Sequence, residues 1–327
     1  MKLRYLPLAV IALAAVSCDR AKNLANKARS AVEGKIAENA SLSGDETPDP
    51  ELMKFVDKTD EGVIFRKDLA MPERFEVRAT RIHEINGRFI QSSAIETQAS
   101  VVKGTQTTVT KLERAGGHVR YSMEQSTFTE PVAEGADKDT KPVIRQLAPA
   151  SPPRVFHQNG ESWKGDPADG FRGAALAKQI APVFDDLLVD NALAPRPLWF
   201  ANRRFKPGDE LVVTGTQLPM LVTGKAKGEL KLTFESIGAV KGHPCGIFTF
   251  SGHYSRTNFP DFEGNLTTDD ITIQSGKLWL SLLYPMILRE ESETVQTQKS
   301  GGSGGPAARG QGTVKVSVIR EWKAVGS

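Results

Sequence analysis

The stretch ELKLTFE, residues 229–235, alternates apolar side chains with charged or polar ones at a period of two. Leu230, Leu232 and Phe234 would share one face of a β-strand, because successive strand residues point to opposite sides. One buried face and one wet face are typical of strands in an antiparallel sheet. This stretch therefore predicts a mainly β protein.

The same alternation recurs along most of the chain, and turn signals separate its occurrences. Residues 278–283 are apolar on both faces, which predicts a central strand. Gly116 with Gly117 and Asn159 with Gly160 predict hairpin turns, and residues 205–209 predict the opening turn of a C-terminal meander. Residues 131–153 and 301–312 are interpreted as loops. Other residues that alternate in this way are Phe75, Val77, Ala79, Val119, Tyr121, Met123, Phe248, Phe250, Tyr254, Val314, Val316, Val318 and Trp322.

Two helices interrupt the β pattern. Asp49, Pro50 and Glu51 have the residue types of a helix start, and Leu52, Phe55 and Val56 would form its buried face. Residues 174–190 carry apolar side chains at a spacing of three and four, among them Phe184. We expect this longer helix to cover the apolar face that Leu230, Leu232, Phe234, Val314, Val316 and Val318 present. The predicted fold is mainly β (α+β), a large curved antiparallel sheet or half-barrel with one long apolar helix packed on it.

The N-terminal residues have the pattern of a targeting signal. Lys2 and Arg4 precede an apolar run over residues 6–16, which is too short to span a bilayer. Small residues then lead to Cys18, and this segment resembles the lipobox of bacterial lipoproteins. The resemblance implies cleavage after Ser17 and lipid on the Cys18 sulfur. An ordinary secretory signal with an incidental cysteine is the alternative, and the choice between inner and outer membrane stays open.

The organisation that follows has three parts: a signal peptide over 1–17, a lipidated N-terminus with a flexible tether over 18–48, and a β-rich domain over 49–327. That domain is one unit or two halves, about 49–165 and 166–327. Its layout resembles that of uncharacterised β-rich bacterial envelope lipoproteins. The resemblance is one of pattern and implies no site residue.

Charge and cysteine content exclude several classes. The chain has 42 Lys and Arg against 39 Asp and Glu, a net charge of +3 without clustering, so we expect no nucleic-acid partner. If Cys18 carries lipid, Cys245 is the remaining thiol and an intramolecular disulfide is impossible. We therefore expect stability to come from an apolar core.

Candidate catalytic residues are few. His243 and Cys245 are two residues apart and could form a thiolate–imidazole pair, but a cysteine opening an apolar strand is more often a small buried side chain. His253 lies eight residues beyond Cys245, about 26 Å along an extended strand, so the three cannot share one zinc ion. The other histidines are interpreted as ordinary surface or interface residues: His83, His118 and His157.

Two further patterns, a group of acidic residues and a glycine-rich segment, could suggest binding sites. The acidic residues Asp261, Glu263, Asp269 and Asp270 lack the ligand spacing of a calcium loop, and a solvated turn is favoured. Residues 301–305 are glycine-rich but lack the Gly-Lys-Ser/Thr ending of a phosphate loop, so a hairpin tip is favoured. The sequence therefore predicts no catalytic, metal or cofactor site besides lipidation at Cys18.

These observations favour a membrane-anchored cell-envelope lipoprotein that acts as a non-enzymatic binding or structural module. Its partners would be the membrane, through lipid on Cys18, and a hydrophobic ligand or an envelope protein. The alternative is an envelope hydrolase whose site is assembled from dispersed residues.

Overall fold

The structure is a computed structural model that describes residues 46–65, 74–92, 97–133, 135–137, 139–147, 154–159, 162–165, 203–215, 218, 225–257, 266–284, 286–301 and 307–324. Cys18, the tether over 18–45 and the helix predicted over 174–190 lie outside these residues. The elements are α1 (Pro50–Met53), β1 (Lys58–Thr59), β2 (Gly62–Ile64), β3 (Arg74–Ser92), β4 (Thr97–Ala115), β5 (His118–Glu130), β6 (Val143–Gln146), β7 (Arg154–Asn159), β8 (Ser162–Gly165), β9 (Arg204–Phe205), β10 (Glu210–Thr214), β11 (Lys225–Val240), β12 (His243–Thr257), β13 (Leu266–Ser281), β14 (Ile287–Gly301) and β15 (Ala307–Ala324).

One antiparallel sheet of twelve strands dominates the molecule. Its order is β10-β11-β12-β13-β14-β15-β3-β4-β5-β7-β8, and β6 pairs with β5. A separate small sheet has the order β1-β2-β9. Among the described strands β10 and β8 are the two ends of the large sheet, so it is open. The mainly β class and the large antiparallel sheet predicted from the alternating pattern are confirmed.

Two meanders meet at one long seam. The first contains β3, β4 and β5, and the second runs from β10 to β15. They are joined where β15 pairs with β3, from Ala307 opposite Ser92 to Ala324 opposite Phe75. The last strand of the second meander therefore holds both meanders in a single hydrogen-bonded sheet.

The two faces of the sheet differ in burial. Ile273, Thr294, Val314 and Ile85 lie side by side on β13, β14, β15 and β3, and each is at most 9% exposed. We call the face that carries this row the inner face. The intervening residues, such as Thr272 and Lys315, are exposed and belong to the outer face. This difference is the alternation that the sequence predicted.

The inner face of β11, β12 and β13 forms a large apolar cluster. Phe205 of β9 and Phe65, which follows β2, pack into it, and the centre of the Phe205 ring lies 5.5 Å from that of Phe248. The small sheet therefore contacts the patch of Leu230, Leu232 and Phe234, for which a helical cover was expected. The short strands β1, β2 and β9 gave no periodicity long enough to be recognised.

Most of the local predictions are confirmed. Hairpins form around Gly116–Gly117 and at Asn159, where β7 and β8 pair from Asn159 opposite Ser162. In the turn over 205–209 the Asp209 carboxylate accepts the Lys206 N–H at 2.8 Å, and Gly208 has a φ of +91° that favours glycine. Leu278, Trp279, Leu280, Leu282 and Leu283 are all buried, as expected for a central strand.

The start of the first helix is also as predicted, but its buried face is only partly so. The Asp49 carboxylate accepts the Glu51 N–H at 2.8 Å and caps α1. Val56 packs against the main apolar cluster and Leu52 is partly buried, whereas Phe55 is 56% exposed, so the predicted buried face is confirmed in part and is wrong for Phe55. One helical turn is too short to present an apolar stripe. A bond between the Asp49 N–H and the Gly242 carbonyl, 2.7 Å long, attaches this segment to the sheet instead.

Both loop predictions need correction. Residues 131–153 contain β6, which extends the sheet beside β5. Of residues 301–312, those that the structure describes are strand, since β14 reaches Gly301 and β15 begins at Ala307. Glycine is required within β15 because a Cβ on Gly312 would lie 2.5 Å from the Cα of Gly87 across the seam. Gly312, one of the glycines that suggested a flexible loop, instead permits a close strand pair.

Candidate functional site

Charged and polar side chains interrupt the apolar inner face in one row. Arg256, Asp269 and Gln298 lie side by side on β12, β13 and β14. The Arg256 Nε donates to one Asp269 oxygen at 2.9 Å, and the Gln298 amide donates to the other at 2.9 Å. Asp269 is only 3% exposed. We call these three residues the inner polar row.

A second polar group on the inner face belongs to β3. Desolvation, together with the positive charges of Arg81 and Arg256, lowers the pKa of His83 to about 4. His83 and Arg256 lie on strands β3 and β12 of the same sheet. His83, expected as an ordinary surface or interface residue, is partly buried on the inner face.

The interior also affects Tyr254, next to Arg256 on the same face. Burial raises the pKa of Tyr254 to about 12; Arg256 opposes this shift, while Glu290 and Asp269 add to it. At neutral pH the phenol keeps its proton and His83 is neutral. The interior thus holds uncharged titratable groups beside charged pairs. Both Asp269 oxygens are engaged, so this carboxylate is better suited to fixing three strands than to acting as a base.

The His243 and Cys245 pair does not form the arrangement considered from the sequence. The Cys245 thiol is a free cysteine, fully buried, and it donates to the His243 carbonyl at 3.3 Å rather than to the imidazole. Burial raises the pKa of this thiol, and the charge of Glu46 raises it further. A thiolate is therefore disfavoured at this position.

His243 has a different partner. Its Nε2 lies 2.7 Å from Ser281 Oγ, and that oxygen also accepts the N–H groups of Leu283 and Tyr284 at 3.1 and 2.9 Å. Because Ser281 accepts twice from the backbone, we assign its proton to the bond with His243. Desolvation lowers the pKa of His243 to about 4. His243 is 7% and Ser281 4% exposed, so this serine–histidine pair is sealed and stabilises a turn.

The remaining candidates are dispersed. His253 contacts Asp270 on the outer face, whereas Asp269 points inward, so the predicted solvated turn is wrong: both carboxylates belong to β13. Asp261, Glu263 and residues 302–306 lie outside the described residues. Within the described part of the chain, no three His, Cys, Asp or Glu side chains are grouped to hold a metal ion.

The outer face carries an open hollow of about 400 Å³ across β13, β14, β15 and β3. Its lining combines short residues such as Ser275 and Ser317 with longer charged side chains. Ser275, Glu293, Lys315 and Glu84 form one cross-strand row. The adjacent row has Lys277, Glu291, Ser317 and Ile82. The hollow is thus lined by alternating acidic and basic groups.

Sequence reasoning missed both the inner polar row and the hollow. The inner polar row could have been recognised from the alternation of strand residues. Asp269 shares its face with Ile271 and Ile273, and Arg256 shares its face with Tyr254. A charged residue at an inward position of a strand indicates a buried pair. The hollow depends on the register between four strands, which no single strand shows.

Comparison with known proteins identifies no family. No protein-family description matches the sequence, and no curated protein matches it either. Among solved structures, a DUF1329 family protein from Desulfovibrio piger is similar at 7% identity and a TM-score of 0.15, over 79% of this chain and 89% of that one. The binding domain of botulinum neurotoxin serotype C1 is similar at 10% identity and a TM-score of 0.10, over 79% and 84%. Likenesses this low carry no functional argument.

Of the helices within the described ranges, none combines the length and the hydropathy that crossing a bilayer would need.

Proposed function

We propose that this protein is a membrane-anchored, non-enzymatic binding module of the cell envelope that holds a protein partner at the hollow on its outer face. The observation that supports this proposal is the hollow itself, an open space of about 400 Å³. Five charged residues are among those that line it: Glu84, Glu291, Glu293, Lys277 and Lys315. Alternating charges of this kind suit the polar rim of a protein interface, where they select one partner and one register.

A protein partner is favoured over the hydrophobic ligand considered from the sequence. The apolar end of the inner face is filled by the protein's own side chains, including Phe65, Phe205 and Phe248. The groups with catalytic potential, His243, Cys245 and Ser281, are each at most 7% exposed. A hydrolase would need its nucleophile and base open to substrate. These observations support binding over hydrolysis.

Photo-cross-linking in intact cells tests the binding site. A photoreactive amino acid at Ser317, within the hollow, should give a discrete protein adduct. The matched control is Val101 on β4, which is 76% exposed and away from the hollow. Reversing two hollow charges, with Glu293→Lys and Lys315→Glu, should remove the adduct. No adduct at 317, or an equal one at 101, would overturn the proposed site.

The anchor is tested separately. In this proposal Cys18 carries the lipid, because at least two acyl chains are needed for stable attachment and a lipidated N-terminal cysteine supplies them. Cys18→Ala should abolish labelling by a fatty-acid analogue and release the protein from membranes. Labelling that survives Cys18→Ala would contradict the anchor without affecting the hollow.

The apolar helix predicted over 174–190 completes the proposal. We propose that it packs on the inner face near Val314 and Val318, away from the area that the small sheet covers. Phe184→Ala should then lower the melting temperature of the whole domain. An unchanged melting temperature would remove this helix from the second layer.

A further inference from the structure

Two histidines on adjacent strands face each other at the far end of the large sheet. His118 begins β5 directly after the turn at Gly116–Gly117, and it lies opposite His157 of β7. Their ring centres are 5.6 Å apart and the rings are nearly perpendicular, at 82°. His118 is exposed and His157 is partly buried, so the pair is open to solvent on one side.

We propose that His118 and His157 form a two-histidine binding site for a divalent transition-metal ion, such as Zn²⁺, Ni²⁺ or Cu²⁺. Imidazole nitrogen binds these ions at about 2.0–2.1 Å, which places each ring centre about 3.2 Å from the metal. A tetrahedral angle at the ion then separates two ring centres by about 5.2 Å. The observed separation is 5.6 Å, so small rotations of the side chains would bring both nitrogens to one ion.

The surroundings determine what kind of site this is. Ala115 lies opposite His118 on β4 and offers no ligand, and Val119 follows it on β5. Two residues beyond His118 on the same strand, Arg120 pairs with Glu113 at 3.7 Å. Among the residues that the structure describes, no third His, Cys, Asp or Glu is grouped with this pair, so we expect water in the remaining coordination positions. Ions that prefer imidazole are favoured over Mg²⁺ and Ca²⁺, which prefer oxygen ligands.

A bound ion would link β7 to β5 at the end of the sheet. β7 pairs with β5 over only four residue pairs, from His118 opposite His157 to Tyr121 opposite Arg154. β8 is attached to the sheet only through β7 among the described strands. An ion held by one histidine from each strand would fasten β7, and with it β8, to the rest of the sheet. This metal site is independent of the function proposed for the hollow.

Calorimetric titration of the full-length protein in detergent micelles with ZnCl₂ and NiCl₂ tests the site. We expect one binding event, and either His118→Gln or His157→Gln should weaken it at least tenfold. The matched control is His253→Gln, which removes an exposed strand histidine on β12 and should leave the affinity unchanged. Unchanged affinity in either site variant, or an equal loss in the control, would overturn the proposal.

Hydrogen exchange supplies a second readout that does not depend on the stability of the variants. In the unaltered protein, Zn²⁺ should slow exchange of the β7 amides, and a chelator should reverse the effect. Amides of β11, at the other end of the sheet, should not respond. If Zn²⁺ leaves β7 unchanged, or slows β7 and β11 equally, the ion does not fasten this strand pair.

Discussion

At the scale of single residues, two histidines make stability depend on pH. His83 and His243 have pKa values near 4 in the folded protein, against about 6.5 in an unfolded chain. The unfolded chain therefore binds protons first as pH falls, so stability is full above about pH 6.5 and declines towards pH 4. Each shift corresponds to at most about 3 kcal/mol.

Urea titrations between pH 7 and 4.5 measure this dependence. His243→Gln should reduce the slope of unfolding free energy against pH, because glutamine can keep the bond to Ser281 without binding a proton. Val101→Gln, which alters an exposed side chain that carries no charge, should keep the slope. An unfolding free energy that is constant between pH 6.5 and 5 would contradict the neutral state of these buried rings.

The thiol of Cys245 should be unreactive. It is fully buried and burial raises its pKa, so both access and thiolate formation are disfavoured. We expect alkylation of the folded protein at pH 7.5 to be on the order of 100-fold slower than after unfolding in urea. The rate should rise with urea along the unfolding curve. Fast modification without denaturant would show that this strand opens locally.

At the scale of elements, the small sheet should contribute much of the stability of the large one. Phe205 is 1% exposed and contacts Phe65, Phe234 and Phe248, so Phe205→Ala should lower the unfolding free energy by about 3–5 kcal/mol. Phe55→Ala removes a ring that is 56% exposed and should change it by less than about 1 kcal/mol. Equal effects would mean that the small sheet contributes little.

The elements also show which parts of the fold could be predicted from the sequence. Long strands with clear alternation, such as β11 and β13, were predictable because a half-buried strand repeats every two residues. The short strands β1 and β9 were not, since two residues define no period. Gly312 belonged to a predicted loop, yet it serves close pairing with β3 at Gly87. The charged row of Arg256 and Asp269 depends on partners from separate strands, which the sequence does not place together.

At the scale of the molecule, the seam between β15 and β3 should make the two meanders unfold together. Val318 lies in this seam and is 3% exposed, so Val318→Lys should lower the transition midpoint measured by both far-ultraviolet circular dichroism and tryptophan fluorescence. Val212 lies on the edge strand β10 and is 47% exposed, so Val212→Lys should leave both midpoints nearly unchanged. Two separate transitions in the unaltered protein would show that the meanders are independent units.

The position of β15 has a consequence for how the chain is made. It comes last among the described strands in order of synthesis, but it lies between β14 and β3 within the sheet. The ribosome adds about 5–20 residues per second, so roughly 10–40 seconds separate the end of β3 from the start of β15. Throughout that interval one edge of β3 has no strand partner, and a bare edge recruits other extended chains. We therefore expect the β3 edge of nascent chains to be a site of aggregation until β15 has been synthesised and pairs with it.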